Sequence, residues 1–300
     1  MSNILFIGGC ERSGTTMLAS LLCGSGDCVS APESQFKSRL LSNDLLSKKD
    51  LEYLKSDFRF GLWNDGEFLS HIDLNQVKKY QFLPELLNYK FHDKDYRFFV
   101  DHTPTNFYDY HSLKIFYPQA KFLHIIRDGR AVYNSFRSLT WGPKDAIRAS
   151  EWWLKKVSLG MAPLALGEDV YTVFYEELVR NPEDVLKRIC DWLAISFDDN
   201  MIKGDNSFLP TYTQVQHSLV GKGVSVNRLD SWKTKLSSKE IKIFQSRAGY
   251  LLEILGYQDH SVDYRTSKYS EMSHWIHGWV KAKRMIKKQR SKETEFSKGQ

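Results

Sequence analysis

Ile4-Leu-Phe-Ile-Gly-Gly-Cys-Glu-Arg-Ser-Gly-Thr-Thr-Met-Leu18 runs from a short apolar stretch through a glycine-bearing turn into a helix start. Ile4 to Ile7 suit a strand buried on both faces, and the helix begins near Thr15. This succession is architecture for an anion. Glycines let the backbone approach a charged group, while free N–H groups and the positive end of a helix point at it. Gly9 and Gly14 keep the GxxxxG spacing of the nucleoside-triphosphate loop. That loop needs lysine after its second glycine to reach the β and γ phosphates, then Ser or Thr to hold magnesium. Here the position holds Thr15, and the cation stands earlier, at Arg12. Arg12, Ser13, Thr15 and Thr16 can grip an anionic group through guanidinium, hydroxyls and backbone amides without a metal.

Further along, Lys121 to Ile126, Tyr171 to Phe174 and Phe98 to Val100 read as strands. Helical spacing runs through Thr15 to Leu22, Thr105 to Phe116, Gly129 to Leu139, Lys144 to Leu159, Asn181 to Leu193 and Lys239 to Leu255. Gly256 supplies a left-handed stop for the last of these. Strands alternating with helices predict an α/β, P-loop-like three-layer fold, a central parallel sheet flanked by helices. Lys121-Phe-Leu-His-Ile-Ile-Arg-Asp-Gly-Arg-Ala-Val-Tyr-Asn-Ser135 repeats the strand, turn and helix succession. Asp128 is placed to cap the helix, and Ser135 falls two turns along it on the side of Arg127, so one phosphate could bridge the two. An ordinary Arg-Asp-Gly turn, or Arg127 paired with an acid on a neighbouring helix, would leave the same trace.

The chain has 300 residues and is 42% hydrophobic, enough for one large core, and its net charge of +6 suits anionic partners. Cys10, Cys23, Cys28 and Cys190 lack metal-type spacing, and the N-terminus lacks the basic lead and long apolar run of a secretion signal. The expectation is a cytoplasmic protein with reduced thiols. The globular body is expected over 1–263. In the remaining 264–300, Trp275, Ile276, Trp279 and Val280 precede a basic run from Lys281 to Arg290. Such a segment suits either docking on the body or peripheral contact with a membrane surface.

Taken together, the two motifs resemble the sulfotransferases that use 3′-phosphoadenosine-5′-phosphosulfate (PAPS). Arg12-Ser-Gly-Thr-Thr16 resembles that family's 5′-phosphosulfate loop, and Arg127 with Ser135 its 3′-phosphate site. Tyr171-Thr-Val-Phe-Tyr-Glu-Glu-Leu178 with Asn181-Pro-Glu183 is similar to a further family segment, and Trp232 and Leu255-Gly-Tyr257 to its closing segment. The resemblance covers roughly Ile4 to Tyr257 and is greatest for the tyrosylprotein branch and its bacterial relatives. It implies PAPS binding through Arg12, Ser13, Gly14, Thr15, Thr16, Arg127, Ser135 and Tyr175. Ser218 and Lys222, in a lid-like loop from His217 to Asn227, are placed to close over the nucleotide phosphates. Glu33, in Ala31-Pro-Glu-Ser34, falls where that branch has its catalytic base. Asp101-His-Thr-Pro104 departs from the family's Lys-Thr-Pro: the lysine at the leaving oxygen is replaced by His102, which can donate a proton or share the base role.

The implied reaction, of EC 2.8.2 type, moves a sulfuryl group from PAPS to an acceptor hydroxyl on a carbohydrate, protein tyrosine, lipid or small metabolite, leaving 3′-phosphoadenosine-5′-phosphate (PAP). No metal and no nucleic-acid partner are expected. Oligomeric state is open, a homodimer included. Two rivals remain at this stage: a nucleotide kinase or ATPase on the same sheet, and a non-catalytic nucleotide- or anion-binding module.

Overall fold

The computed structural model describes residues 3–205, 207–208, 229–257 and 278. In chain order the elements are β1 (Asn3–Gly9), α1 (Thr15–Leu22), β2 (Cys28–Ser30), α2 (Lys48–Ser56), α3 (Phe58–Gly61), α4 (Phe68–His71), α5 (Phe82–Lys90), β3 (Phe98–Asp101), α6 (Tyr110–Phe116), β4 (Lys121–Ile126), α7 (Gly129–Phe136), α8 (Ala146–Ala165), β5 (Val170–Phe174), α9 (Tyr175–Arg180), α10 (Pro182–Leu193), α11 (Asn200–Lys203), α12 (Ser231–Lys235) and α13 (Ser238–Ile254). Tight 3-10 turns lie at Gln35–Leu40 and Pro104–Tyr108. The chain divides into two compact units, Met1–Ile126 with Leu159–Ser225, and Arg127–Ser158 with Val226–Gln300.

The first unit is built on a five-stranded sheet in the order β2-β3-β1-β4-β5, parallel at every pairing. Side chains alternate along each strand. Ile4 and Phe6 therefore join one cluster with Phe36, Trp63, Phe82, Phe99 and Phe122, and Leu5 and Ile7 turn the other way, where α1 packs on β1. That aromatic cluster anchors the short helices between residues 35 and 116. At the sheet centre Gly9 pairs with Ile125, and a Cβ at Gly9 would come within 2.4 Å of the Ile125 carbonyl oxygen. Only glycine lets β1 end against β4 so closely.

The four strands expected from sequence are all present. β2 went unread because it is three residues long and has no alternation to detect. The helix expected over Thr105 to Phe116 is in fact a 3-10 turn followed by α6. Asn106 is the cause: its amide donates to the carbonyls of Ile7 (3.0 Å) and Asp101 (3.1 Å), drawing the turn onto the strand ends. The helix expected to stop at Leu159 continues to Ala165, with Pro163 accommodated in its last turn.

In the second unit α7 stops at Phe136, three residues short of the expected Leu139. Buried Lys144 accounts for the end: its ammonium donates to the carbonyls of Phe136 (2.9 Å), Leu139 and Trp141 (3.1 Å), groups that a continuing helix would have used itself. A capping box on Ser237 and Glu240 starts α13, and Gly256 ends it with φ 74°, as the sequence predicts.

His124 on β4 is fully buried, packed edge-on against Phe107 with centroids 5.0 Å apart and against Gly160, where a Cβ would lie 2.3 Å from the ring. Burial alone pushes its pKa from 6.5 down to about 3. Above pH 6.5 the ring is neutral in both folded and unfolded chains and contributes no pH dependence. Below that, the unfolded chain gains a proton that the folded one refuses. Stability should then fall by about 1.4 kcal/mol per pH unit until the pH nears the folded pKa. Urea unfolding at pH 7 and pH 5 measures the loss, and His124→Leu should flatten it. An unchanged slope in that variant would show that other groups govern the decline.

Candidate active site

Parallel strands deliver their following loops to one edge of a sheet, and such edges collect ligand-binding residues. The loop after β1 has the form expected for an anion. Ser13 N–H donates to the Cys10 carbonyl (3.0 Å), which tightens the turn. Arg12 takes a left-handed φ of 72° and Gly14 a φ of 101°. Alternating backbone hands of this kind turn successive N–H groups toward a common centre. The Gly14 position has no room for a side chain, because the Tyr175 ring at the start of α9 lies 2.6 Å from where a Cβ would be. α1 begins immediately at Thr15, and no side chain caps it. The Ser13 hydroxyl is buried with no hydrogen-bond partner among the described residues. Buried hydroxyls are rarely left unpaired, so the orphan points to a missing polar ligand. Arg12, Ser13, Gly14, Thr15 and Thr16 therefore form one cradle, and Tyr175 backs it.

The segments after β2 and β3 meet at the same edge. Glu33 is half-buried and its carboxylate accepts from Gln35 Nε2 (2.8 Å). His102 is buried beside Phe208, with ring centroids 5.2 Å apart. Burial holds its pKa below the usual value, while the negative charges of Glu33 and Asp101 pull it back up. Neither ring nitrogen makes a well-formed hydrogen bond among the described residues. The segments that carry Glu33 and His102 are joined by the residues next to each, the Ser34 N–H donating to Thr103 Oγ1 (2.9 Å).

Sequence reading missed what lies beneath them. Asp101 and Lys37 are both buried and form an ion pair at 3.1 Å. Asp101 also accepts from the Ser34 hydroxyl and from the Thr103 N–H (2.9 Å). The Lys37 charge and these donors hold its carboxyl at about 2, overcoming a burial effect that would raise it. Lys37 sits in Ser-Gln-Phe-Lys-Ser-Arg, a stretch whose polarity reads as surface. The available signal was its position beside Phe36, which belongs to the aromatic cluster.

In the second unit Arg127 follows β4 by one peptide bond, and its carbonyl accepts from Trp153 Nε1 (2.9 Å). Asp128 caps α7 by accepting from the Arg130 N–H (2.8 Å), as expected. The guanidinium of Arg130 takes both carboxylate oxygens of Asp128 (3.0 and 2.8 Å) and stacks 4.1 Å above Trp232. Arg130 also donates to the Tyr257 carbonyl (2.7 Å), which accounts structurally for Trp232 and Tyr257. Ser135 lies half-buried on α7. Ser218 and Lys222, with the lid-like loop His217 to Asn227, and the segment Trp275 to Arg290 save Gly278, lie outside the described residues.

All four cysteines are free and buried. Among the described residues no three His, Cys, Asp or Glu side chains are grouped so as to hold a metal ion, and no helix is long and apolar enough to cross a membrane.

The chain is similar to known proteins along most of its length. The chain is 27% identical over 239 residues to protein-tyrosine sulfotransferase A of Caenorhabditis elegans, a match covering 76% of this chain and 56% of that protein. It thus spans little more than half the length of that relative. Among solved structures, the sulfotransferase domain of the Synechococcus PCC 7002 olefin synthase superposes with a TM-score of 0.62 at 25% identity, over 86% of this chain and 97% of the domain. The sulfotransferase domain from the curacin biosynthetic pathway shares the fold, with a TM-score of 0.63 at 20% identity over 86% of this chain and 99% of the domain. The Sulfotransferase family model matches residues 5–199, from β1 through the cradle, both candidate catalytic segments and α10, and the chain belongs to that family.

Proposed function

We propose that this chain transfers a sulfuryl group from PAPS to an acceptor hydroxyl, and that a tyrosyl hydroxyl is the favoured acceptor in view of the relatives named protein-tyrosine sulfotransferases. One observation carries the reading: a cradle with an arginine in a left-handed conformation, an orphaned buried serine hydroxyl, and threonine where a triphosphate loop has lysine. PAPS, when bound, supplies a sulfuryl group on a phosphate that departs with the nucleotide as PAP. Arg12, Ser13, Thr15 and Thr16 hold the 5′ end and meet the negative charge that grows there, as preorganised donors do. Glu33 takes the acceptor's proton on a carboxylate oxygen while the acceptor oxygen bonds to sulfur and the sulfur–oxygen bond to the phosphate breaks. His102, held neutral by burial, retains one N–H to donate toward the leaving oxygen. Arg127 and Ser135 hold the 3′-phosphate.

Incubation with sulfur-35-labelled PAPS and a panel of a tyrosyl peptide, a phenol, a sugar and a lipid alcohol tests the reaction. Label should move to at least one acceptor. Label retained on the nucleotide throughout, with magnesium-dependent ATP hydrolysis instead, would return the kinase or ATPase reading. The same protein tests the second motif: Arg127→Ala should weaken PAP binding roughly 10- to 100-fold, the worth of one charged hydrogen-bond pair, and leave adenosine 5′-phosphosulfate binding unchanged. Wild-type affinity for PAP in that variant would remove Arg127 from the site.

A further inference from the structure

The segment bearing Glu33 and the segment bearing His102 are joined through the residues next to each. Ser34, directly after Glu33, donates its hydroxyl to the Asp101 carboxylate and its backbone N–H to Thr103 Oγ1 (2.9 Å). Asp101 and Thr103 are the two residues that flank His102. Lys37, one turn beyond Glu33, closes the link with its 3.1 Å ion pair to Asp101. Asn106 ties the same Asp101 to β1 through the Asp101 and Ile7 carbonyls. Every group in this brace is buried, Lys37 at 2% and Asp101 at 1% exposed. A buried ion pair seldom adds net stability over apolar residues of similar size, so its presence calls for another role.

We propose that the Lys37–Asp101–Ser34 brace is a positioning device, setting the Glu33 carboxylate against the His102 ring so that the proton acceptor and the leaving-group donor keep a fixed separation. Asp101 and Lys37 touch neither substrate in this scheme. They act through the two residues that do, and the inference rests on the roles proposed above for Glu33 and His102. Catalytic groups must be held to a fraction of an ångström, and side chains on loops need such support. Ser34 and Thr103 supply it at backbone level, and the ion pair locks it from beneath.

The test compares wild type with the charge-free double variant K37M/D101N, chosen because removing both partners leaves no unpaired buried charge. In each background Glu33→Gln is added, and the titration of His102 is followed by NMR of histidine labelled with carbon-13. PAP affinity and melting temperature are measured alongside. In wild type, Glu33→Gln should lower the His102 midpoint, because the carboxylate favours the charged ring. In K37M/D101N that change should shrink to less than half, while PAP binding stays within about twofold and the fold persists, because neither residue belongs to the cradle after β1. Consumption of labelled PAPS with a tyrosyl peptide should fall at least about tenfold in kcat, the scale of a misplaced catalytic group, with the KM for PAPS unchanged. Ser34→Ala, which keeps the ion pair and the backbone bond, gives a smaller loss of the same kind.

A full-sized Glu33 effect on His102 in the folded double variant overturns the brace, whatever the turnover does. Wild-type turnover in both Glu33→Gln and His102→Gln overturns instead the roles assigned to those residues, so the two failures are told apart. If K37M/D101N does not fold, Ser34→Ala and Thr103→Val carry the comparison, and an undiminished coupling in both overturns the brace.

Discussion

Glu33→Gln is expected to lower turnover of labelled PAPS by roughly 10²- to 10⁴-fold, the usual contribution of a positioned general base. Its effect on PAP affinity should be slight, because the cradle after β1 is a separate set of groups. Glutamine keeps the shape and can still engage Gln35, so the loss would report the missing proton acceptor rather than a collapsed loop. Rapid-quench measurement of sulfuryl transfer, with isothermal titration of PAP, separates the two quantities. Retained turnover would move the base to His102, whose ring nitrogens lack well-formed partners among the described residues.

Asp101→Asn should be the most destabilising conservative change in the first unit. It leaves Lys37 as a buried ammonium without a counter-charge, a situation that costs about 3–5 kcal/mol. Lys37→Met in the same chain should recover most of the loss, because an apolar residue of similar length fits beside Phe6, whose ring centroid lies 5.7 Å from the Lys37 ammonium. Urea titrations of the single and double variants give the comparison. A single variant as stable as wild type would mean that water or a rearranged neighbour already neutralises the lysine. The carboxyl pKa, lowered from 3.8 to about 2, sets the acid limit of this contribution. It is fully present above pH 3.8 and is lost as the pH falls through about 2, so it begins to fade only near the acid end of the window in which His124 acts.

Much of this was legible because strand ends and glycines leave strong local traces. Ile4 to Ile7 and Lys121 to Ile126 are short apolar runs, and each is followed by a glycine-bearing turn and a helix start. The Gly9-to-Gly14 spacing with Arg12 marked the cradle without knowledge of any contact. Glu33 and His102 were reachable only through family likeness, since nothing local in Ala31-Pro-Glu-Ser34 or Asp101-His-Thr-Pro104 declares chemistry. The brace was not legible at all. Its partners are far apart in sequence, and a lysine among serines and arginines gives no sign of burial until β1 and β3 are paired side by side. Asn106 failed for a similar reason: its helix-compatible setting conceals two bonds to strand carbonyls that bend the chain.

The backbone of Arg12 has a further consequence. A residue with a side chain is disfavoured at a φ of 72° by roughly 1–2 kcal/mol, a cost glycine escapes. Arg12→Gly would therefore relax the turn while discarding the guanidinium proposed to hold the nucleotide. Selection of this protein for a relaxed backbone alone would erode the position proposed to grip the nucleotide, so any such campaign must screen for PAP binding at every round.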